Sequence, residues 1–223
     1  MPSLEMITLL YSPVVIGMIG FMMGLFIHRL ANYYAHNLTP QGQSTTSSLT
    51  SDMLVGLACA MLSLVNFYFI GHTLWAWLTV LLIWSLCLLL LMDLKTWLLP
   101  DLITLPLMWL GLIVHDLGLG SVSLHDALWG AVLGYVFPWL IKHLYFLLTD
   151  RQGMGHGDFK LLAALGAWLG WQALPVVLLI ASCAGLVVGL MLMWWRKKTL
   201  KMAVPFGPFL AFAGVLILFK QGH

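Results

Sequence analysis

From Leu74 to Met92 the chain carries no charged residue, and the run stops abruptly at Asp93-Leu94-Lys95. A helix crossing the hydrocarbon core of a bilayer needs about 20 predominantly apolar residues, and this stretch supplies them. Inside lipid every backbone N–H and C=O must find its partner within the segment or in a closed barrel, so a continuous apolar run folds as a helix. Similar runs cover Met6 to Ile27, Met53 to Ile70, Asp126 to about Leu148, and Pro175 to Trp194-Trp195. With 61% hydrophobic residues, 8% charged residues and a mean hydropathy of +0.98, the whole chain lies outside the range of soluble domains. Its length accommodates about eight spans of roughly 20 residues with short connections, which leaves no room for a sizeable soluble domain. The expectation is an all-α polytopic membrane protein, a bundle of about eight transmembrane helices, some of them short or kinked. A formal charge of +2 gives no reason to expect nucleic acid as a partner.

In chain order, the first span is interrupted by Pro13 and carries Gly17, Gly20 and Gly24, a small-residue stripe suited to close helix packing, and it is expected to end at His28-Arg29. It lacks a basic n-region and an Ala-x-Ala site, so it does not read as a cleavable signal peptide. Leu38 to Asp52 is polar, small and uncharged until its last residue, and reads as a flexible loop. Residues 1–52 are thus expected to form an N-terminal span with a short loop, and 53–223 a membrane-embedded core. Pro106 falls early in the span that begins at Asp101 and should kink it. The segment from Asp158 to about Gly170 is short for a span. Alternating eight spans puts Arg29, Lys95, Lys142, Arg151, Lys160, Arg196, Lys197, Lys198 and Lys201 on one side, with Lys220 alone on the other. The positive-inside rule then places both chain ends outside and the loops carrying Asp93, Asp101 and Asp158 at the cytoplasmic face.

Those three carboxylates are the chemical candidates. Gly153-Met154-Gly155-His156-Gly157-Asp158-Phe159-Lys160 brings a carboxylate and an ammonium group to the mouth of an apolar segment, where the first turn of a helix favours negative charge. Read blandly, Asp158 and Asp101 are residues capping helices and Lys160 snorkels to the headgroups. Read functionally, ionisable groups at the depth of span ends mark sites, and two carboxylates that meet share one proton, so one acts as general base and the other as general acid. Asp52 and Asp150 read as ordinary loop residues, and Glu5, Asp116 and Asp126 belong to the outer side. Other hydrolytic equipment is missing. No histidine begins H-E-x-x-H, and Ser63, Ser85 and Ser182 lack the context of a nucleophile elbow. Cys59, Cys87 and Cys183 are scattered without a C-x-x-C pair. No strand pattern precedes the glycines, which sets aside a dinucleotide loop.

Asp93-Leu-Lys-Thr-Trp-Leu-Leu-Pro-Asp101, followed by Gly155-His-Gly-Asp158-Phe-Lys-Leu-Leu-Ala-Ala-Leu-Gly and a late Pro205-Phe206-Gly207-Pro208, resembles the type IV prepilin leader peptidase family of bacterial aspartic membrane peptidases. The likeness covers roughly Leu86 to Pro208. It implies that Asp93 and Asp158 are the catalytic pair and that Asp158 belongs to the family's Gly-x-Gly-Asp motif. Asp101, Gly155, Gly157 and Lys160 are then supporting or substrate-binding residues. It also implies a prepilin or pseudopilin substrate with a basic leader, cleaved after Gly at the cytoplasmic face of the inner membrane, in type IV pilus or type II secretion assembly. Membrane lipid is the other implied partner. The N-terminal third departs from the family. Where members show a motif ending in Asn-Val-x-Ile-x-Arg-Leu-Pro, this chain keeps Ile27, Arg29 and Leu30 and lacks the Asn and Pro. The loop that carries four cysteines in many members is here Ser/Thr-rich, so no metal is expected. Peptidase activity needs no cofactor, and S-adenosylmethionine is implied only if the chain also methylates the new N-terminus. From other classes, a transporter would carry its acids near mid-membrane in related halves, whereas a non-catalytic assembly subunit would tolerate loss of either Asp.

Overall fold

The structure is a computed structural model that describes residues 12–38, 48–149, 155–196 and 205–222. Most of the Ser/Thr-rich loop, Gly153 and Met154 of the glycine stretch, and the basic residues at 197–201 lie outside the described residues. Among the described residues all regular structure is helical, gathered into two compact units, one drawn from residues 1–96 and 222–223 and the other spanning Trp97–Gln221.

The first unit contains α1 (Pro13–Leu38), α2 (Leu49–Ile70) and α3 (Leu74–Thr96), and each is long and apolar enough to cross a membrane. Lipid supplies no hydrophobic drive for helix association, so α1 and α2 hold together by close approach of their backbones. A Cβ on Gly24 would lie 2.7 Å from the Cα of Gly56, a distance no real side chain tolerates. The helices differ from expectation at two boundaries. α1 does not end at His28-Arg29 but continues to Leu38, and α2 begins at Leu49, inside the stretch expected to be loop. Both differences have one physical reason. His28 and Asp52 are 5% and 6% exposed and pair with each other, so polar residues that would end a hydropathy run are internal to the packed helices.

The second unit contains α4 (Asp101–Asp116), α5 (Leu124–Thr149), α6 (His156–Leu169), a 3₁₀ turn at Trp171–Ala173, α7 (Leu174–Arg196) and α8 (Gly207–Gln221). The α5 helix and the Trp171–Trp194 segment are of spanning length; α4, α6 and α8 have 16, 14 and 15 residues. At 1.5 Å per residue α6 rises about 21 Å, short of a hydrocarbon core of about 30 Å. It is sheathed by protein instead. Every residue from Leu161 to Leu169 is buried, with α4, α5 and α8 packed around it. Gly130 of α5 and Gly166 of α6 meet backbone to backbone, where a Cβ on either would collide with the other's carbonyl. On the α4 side, the Trp168 indole N–H donates to the Leu107 carbonyl at 2.8 Å, and Gly111 leaves the space the ring occupies. α5 starts in a reciprocal cap: Ser123 Oγ accepts from the Asp126 amide at 3.1 Å and donates to its carboxylate at 2.7 Å. The other oxygen of Asp126 accepts from Trp171 and Gln172 at 2.9 and 2.8 Å, which ties the turn after α6 to the start of α5.

Candidate active site

In the first unit Asp93 occupies the last turn of α3 and is 5% exposed. Thr96 bonds back to the Met92 carbonyl at 2.8 Å. The helix stops there because Trp97 adopts φ 59°, the left-handed conformation that terminates helices and costs an L-residue about 1–2 kcal/mol. Beside Asp93, on the same turn, Lys95 reaches back to α1, donating to Asn32 Oδ1 and lying 3.4 Å from His28 Nε2. The Asn32 amide is 3.5 Å from His28 Nδ1, and that nitrogen pairs with the Asp52 carboxylate of α2. Four polar side chains on three helices therefore form one connected network beside the turn that carries Asp93. Cationic Lys95 is also well placed at the negative end of the α3 dipole.

Sequence reasoning missed this network, and the reading of Asp52 as an ordinary loop residue is overturned. Asp52 lies in the first turn of α2, buried against His28. A signal was available: His28 and Asn32 are four residues apart in a helical stretch, which puts two polar groups on one face. What gives them a partner is 24 residues away along the chain, beyond the reach of a local pattern.

In the second unit Asp158 is half-buried in the first turn of α6. Gly155 is the N-cap, with extended backbone and no side-chain cap, so the carboxylate of Asp158 is the acidic group at the positive end of this helix. A Cβ on Gly155 would lie 3.5 Å from Asp158 Oδ2, an ordinary contact, so this glycine is needed for nothing steric on that side. Gly157 differs: a Cβ there would come within 2.8 Å of the Leu99 Cβ. Leu99 is 9% exposed, and it folds over the start of α6 because Gly157 has no side chain.

Lys160 is half-buried and turned to Asp101, its ammonium 2.6 Å from each carboxylate oxygen. The structure thus brings Asp101 and Lys160 together as an ion pair between the first turn of α4 and the second turn of α6. Asp101 is not the cap of α4; that position is Pro100, and no side chain caps the helix. Lys160 is an inter-helix tie, rather than a lysine that only snorkels.

The profile of the type IV leader peptidase family matches residues 80–190, a stretch that contains Asp93, Asp101, Gly155, Gly157, Asp158 and Lys160. A prepilin leader peptidase/N-methyltransferase of Stutzerimonas stutzeri is 47% identical over 165 residues, covering 74% of this chain and 57% of its own length. The protein of the same name from Pseudomonas putida is 49% identical over 161 residues, covering 72% of this chain and 56% of its own. One from Burkholderia pseudomallei strain 1026b is 52% identical over 127 residues, covering 57% and 41%. The chain spans little more than half the length of the first two relatives. No solved structure matches.

Proposed function

Through residues 80–190 the chain belongs to the type IV leader peptidase family, and on that premise we propose that it is a prepilin or pseudopilin leader peptidase working with two aspartates, Asp93 and Asp158. The observation that carries the reading is that the family match contains both residues, and that each occupies a setting in which a carboxylate does chemistry rather than face bulk water. Asp93 is buried in the last turn of a spanning helix, and Asp158 is half-buried at a helix N-terminus. In the proposed reaction one proton is held between the two carboxyls. The ionised member takes a proton from water, the hydroxide so generated attacks the scissile carbonyl, and the protonated member delivers its proton to the leaving amine. Asp101 and Lys160 take no part in proton transfer; their pairing fixes the start of α6, on which Asp158 rides. The charge asymmetry of the loops favours cleavage at the cytoplasmic face of the inner membrane, after a Gly that follows a basic leader.

The test is co-expression with a prepilin, read as a mobility shift on loss of the leader. Asp93→Asn and Asp158→Asn should each abolish the shift while inserting normally, because an amide is neither base nor acid. Asp101→Asn should keep substantial activity. Full cleavage by either of the first two variants would remove that residue from the dyad, and an essential Asp101 beside a dispensable Asp93 would move the pair to Asp101 and Asp158.

The relatives' shared name raises methyl transfer as a second activity. We propose that it is weak or absent here, because the N-terminal third departs most from the family motif and offers no cofactor-binding pattern; S-adenosylmethionine is required only if the activity exists. The mass of the mature pilin decides it. Stoichiometric gain of about one methylene at the new N-terminus would establish the bifunctional reading and make Arg29 the first residue to test.

A further inference from the structure

Between α5 and the start of α6 lies a cavity of about 210 Å³, lined by Trp139, Lys142, His143, Phe146 and His156. No carboxylate lines it, and among the described residues Lys142 has no acidic partner. The Lys142 ammonium donates instead to the His156 ring, 3.1 Å from Nδ1 and 3.4 Å from Nε2, and lies 5.7 Å from the centroid of Phe159. An ammonium that only snorkels would extend freely into water. This one is held across two helices by an imidazole ring and an aromatic face, with no anionic partner among the described residues. His143 is stacked on Trp139 with ring centroids 4.7 Å apart, so the second imidazole is held at the same mouth. The first-turn amides of α6 add positive partial charge on the His156 side.

From this convergence we propose that the cavity is a binding site for the phosphate of an anionic phospholipid. Three observations select a lipid phosphate over a free one. Lys142 follows Leu124 by eighteen residues on α5, a rise of about 27 Å, which is the depth at which a core of about 30 Å gives way to headgroups. The walls are the rings of Trp139 and Phe146, which offer apolar contact to glycerol and acyl carbons and nothing to an inorganic ion. On the bilayer side of Lys142, Val136, Phe137, Leu140 and Ile141 of α5 are all exposed, which offers acyl chains an apolar surface leading to the cavity. Zwitterionic phospholipid presents the same phosphate with a tethered cation that the Lys142 ammonium repels, so the site discriminates by net charge. Because His156 stands two residues before Asp158, an occupied site holds the first turn of α6 from its outer side.

The test uses the intact protein in mixed micelles, with native mass spectrometry counting retained phosphatidylglycerol against phosphatidylcholine. The unaltered chain should retain one phosphatidylglycerol in preference. Lys142→Gln should weaken retention about five-fold, the effect of one basic residue at an anionic surface. The combination of Lys142→Gln, His143→Gln and His156→Gln should abolish the preference, and Lys220→Gln should not change it. Equal retention by the triple variant, or no preference in the unaltered chain, overturns the proposal. Displacement of phosphatidylglycerol by millimolar inorganic phosphate overturns the lipid assignment in favour of a free oxyanion. A phosphatidylglycerol carrying a photoreactive headgroup needs no variant: labelling within residues 139–156 supports the site, and labelling only elsewhere refutes it. No cleavage enters these readouts, so their outcome is separable from that of the peptidase proposal.

Discussion

Two acid–base pairs among the described residues, one in each unit, show how differently the same chemistry weighs in different surroundings. His28 and Asp52 pair with side chains 7% and 8% exposed, whereas Lys160 and Asp101 pair with side chains 24% and 56% exposed. In the open pair water solvates whichever partner remains when the other is lost, so its contribution is small. In the closed pair nothing replaces the missing partner. Each pair adjoins one of the residues proposed to do chemistry: the closed pair, through Lys95, the turn that carries Asp93, and the open pair, through Lys160, the turn that carries Asp158.

Breaking the closed pair should therefore give the largest effect on stability. His28→Ala leaves the Asp52 carboxylate buried without its partner, at a cost of about 3–5 kcal/mol. Asp52→Ala leaves only a ring nitrogen unmatched and should cost about 1–3 kcal/mol. Unfolding in mixed micelles measures both, and near-neutrality of the double replacement by leucine would confirm that the penalty is desolvation rather than lost attraction.

A middle value is expected at Gly157, which lies beside the open pair but faces Leu99 rather than solvent. Gly157→Ala forces the Leu99 side chain to move and should cost about 1–3 kcal/mol as overpacking. Gly155→Ala, whose added Cβ would meet Asp158 Oδ2 at an ordinary 3.5 Å, serves as its matched control. The smallest effect belongs to the open pair. Lys160→Met should change stability by less than about 1 kcal/mol. Its effect on turnover then sharpens the comparison: normal cleavage confines the pair to a minor stabilising tie, while impaired cleavage at unchanged stability means that the tie positions α6 for reaction.

Which features could be read from the sequence follows the same division between local and distant causes. The spans were legible because an apolar run such as Leu74–Met92 is its own cause. Asp93 and Asp158 stood out because charges at the ends of such runs are costly, and the glycines around 155–157 marked an irregular turn. The continuation of α1 past Arg29 was not legible, since the burial of His28 depends on Asp52, on another helix. Lys160 and Asp101 likewise are 59 residues apart, and no periodicity connects them. The shortness of α6 could be read, but its enclosure could not, because Leu161–Leu169 would look the same facing lipid as facing α4, α5 and α8.

That enclosure bears on how the protein is made. A helix rising about 21 Å cannot rest alone across a bilayer while the ribosome completes the chain. α5 precedes it and can receive it through the Gly130–Gly166 contact, but the far side is covered only when α8 arrives, about forty residues later. The last turn of α8 then completes the seal, as the Gln221 amide donates to the Leu169 carbonyl at 2.9 Å, at the opposite end of α6 from Asp158. Membrane insertion of the segment that carries Asp158 is thus finished only by a helix made about forty residues later, so the helix on which Asp158 rides is not fully enclosed until α8 has been synthesised and packed.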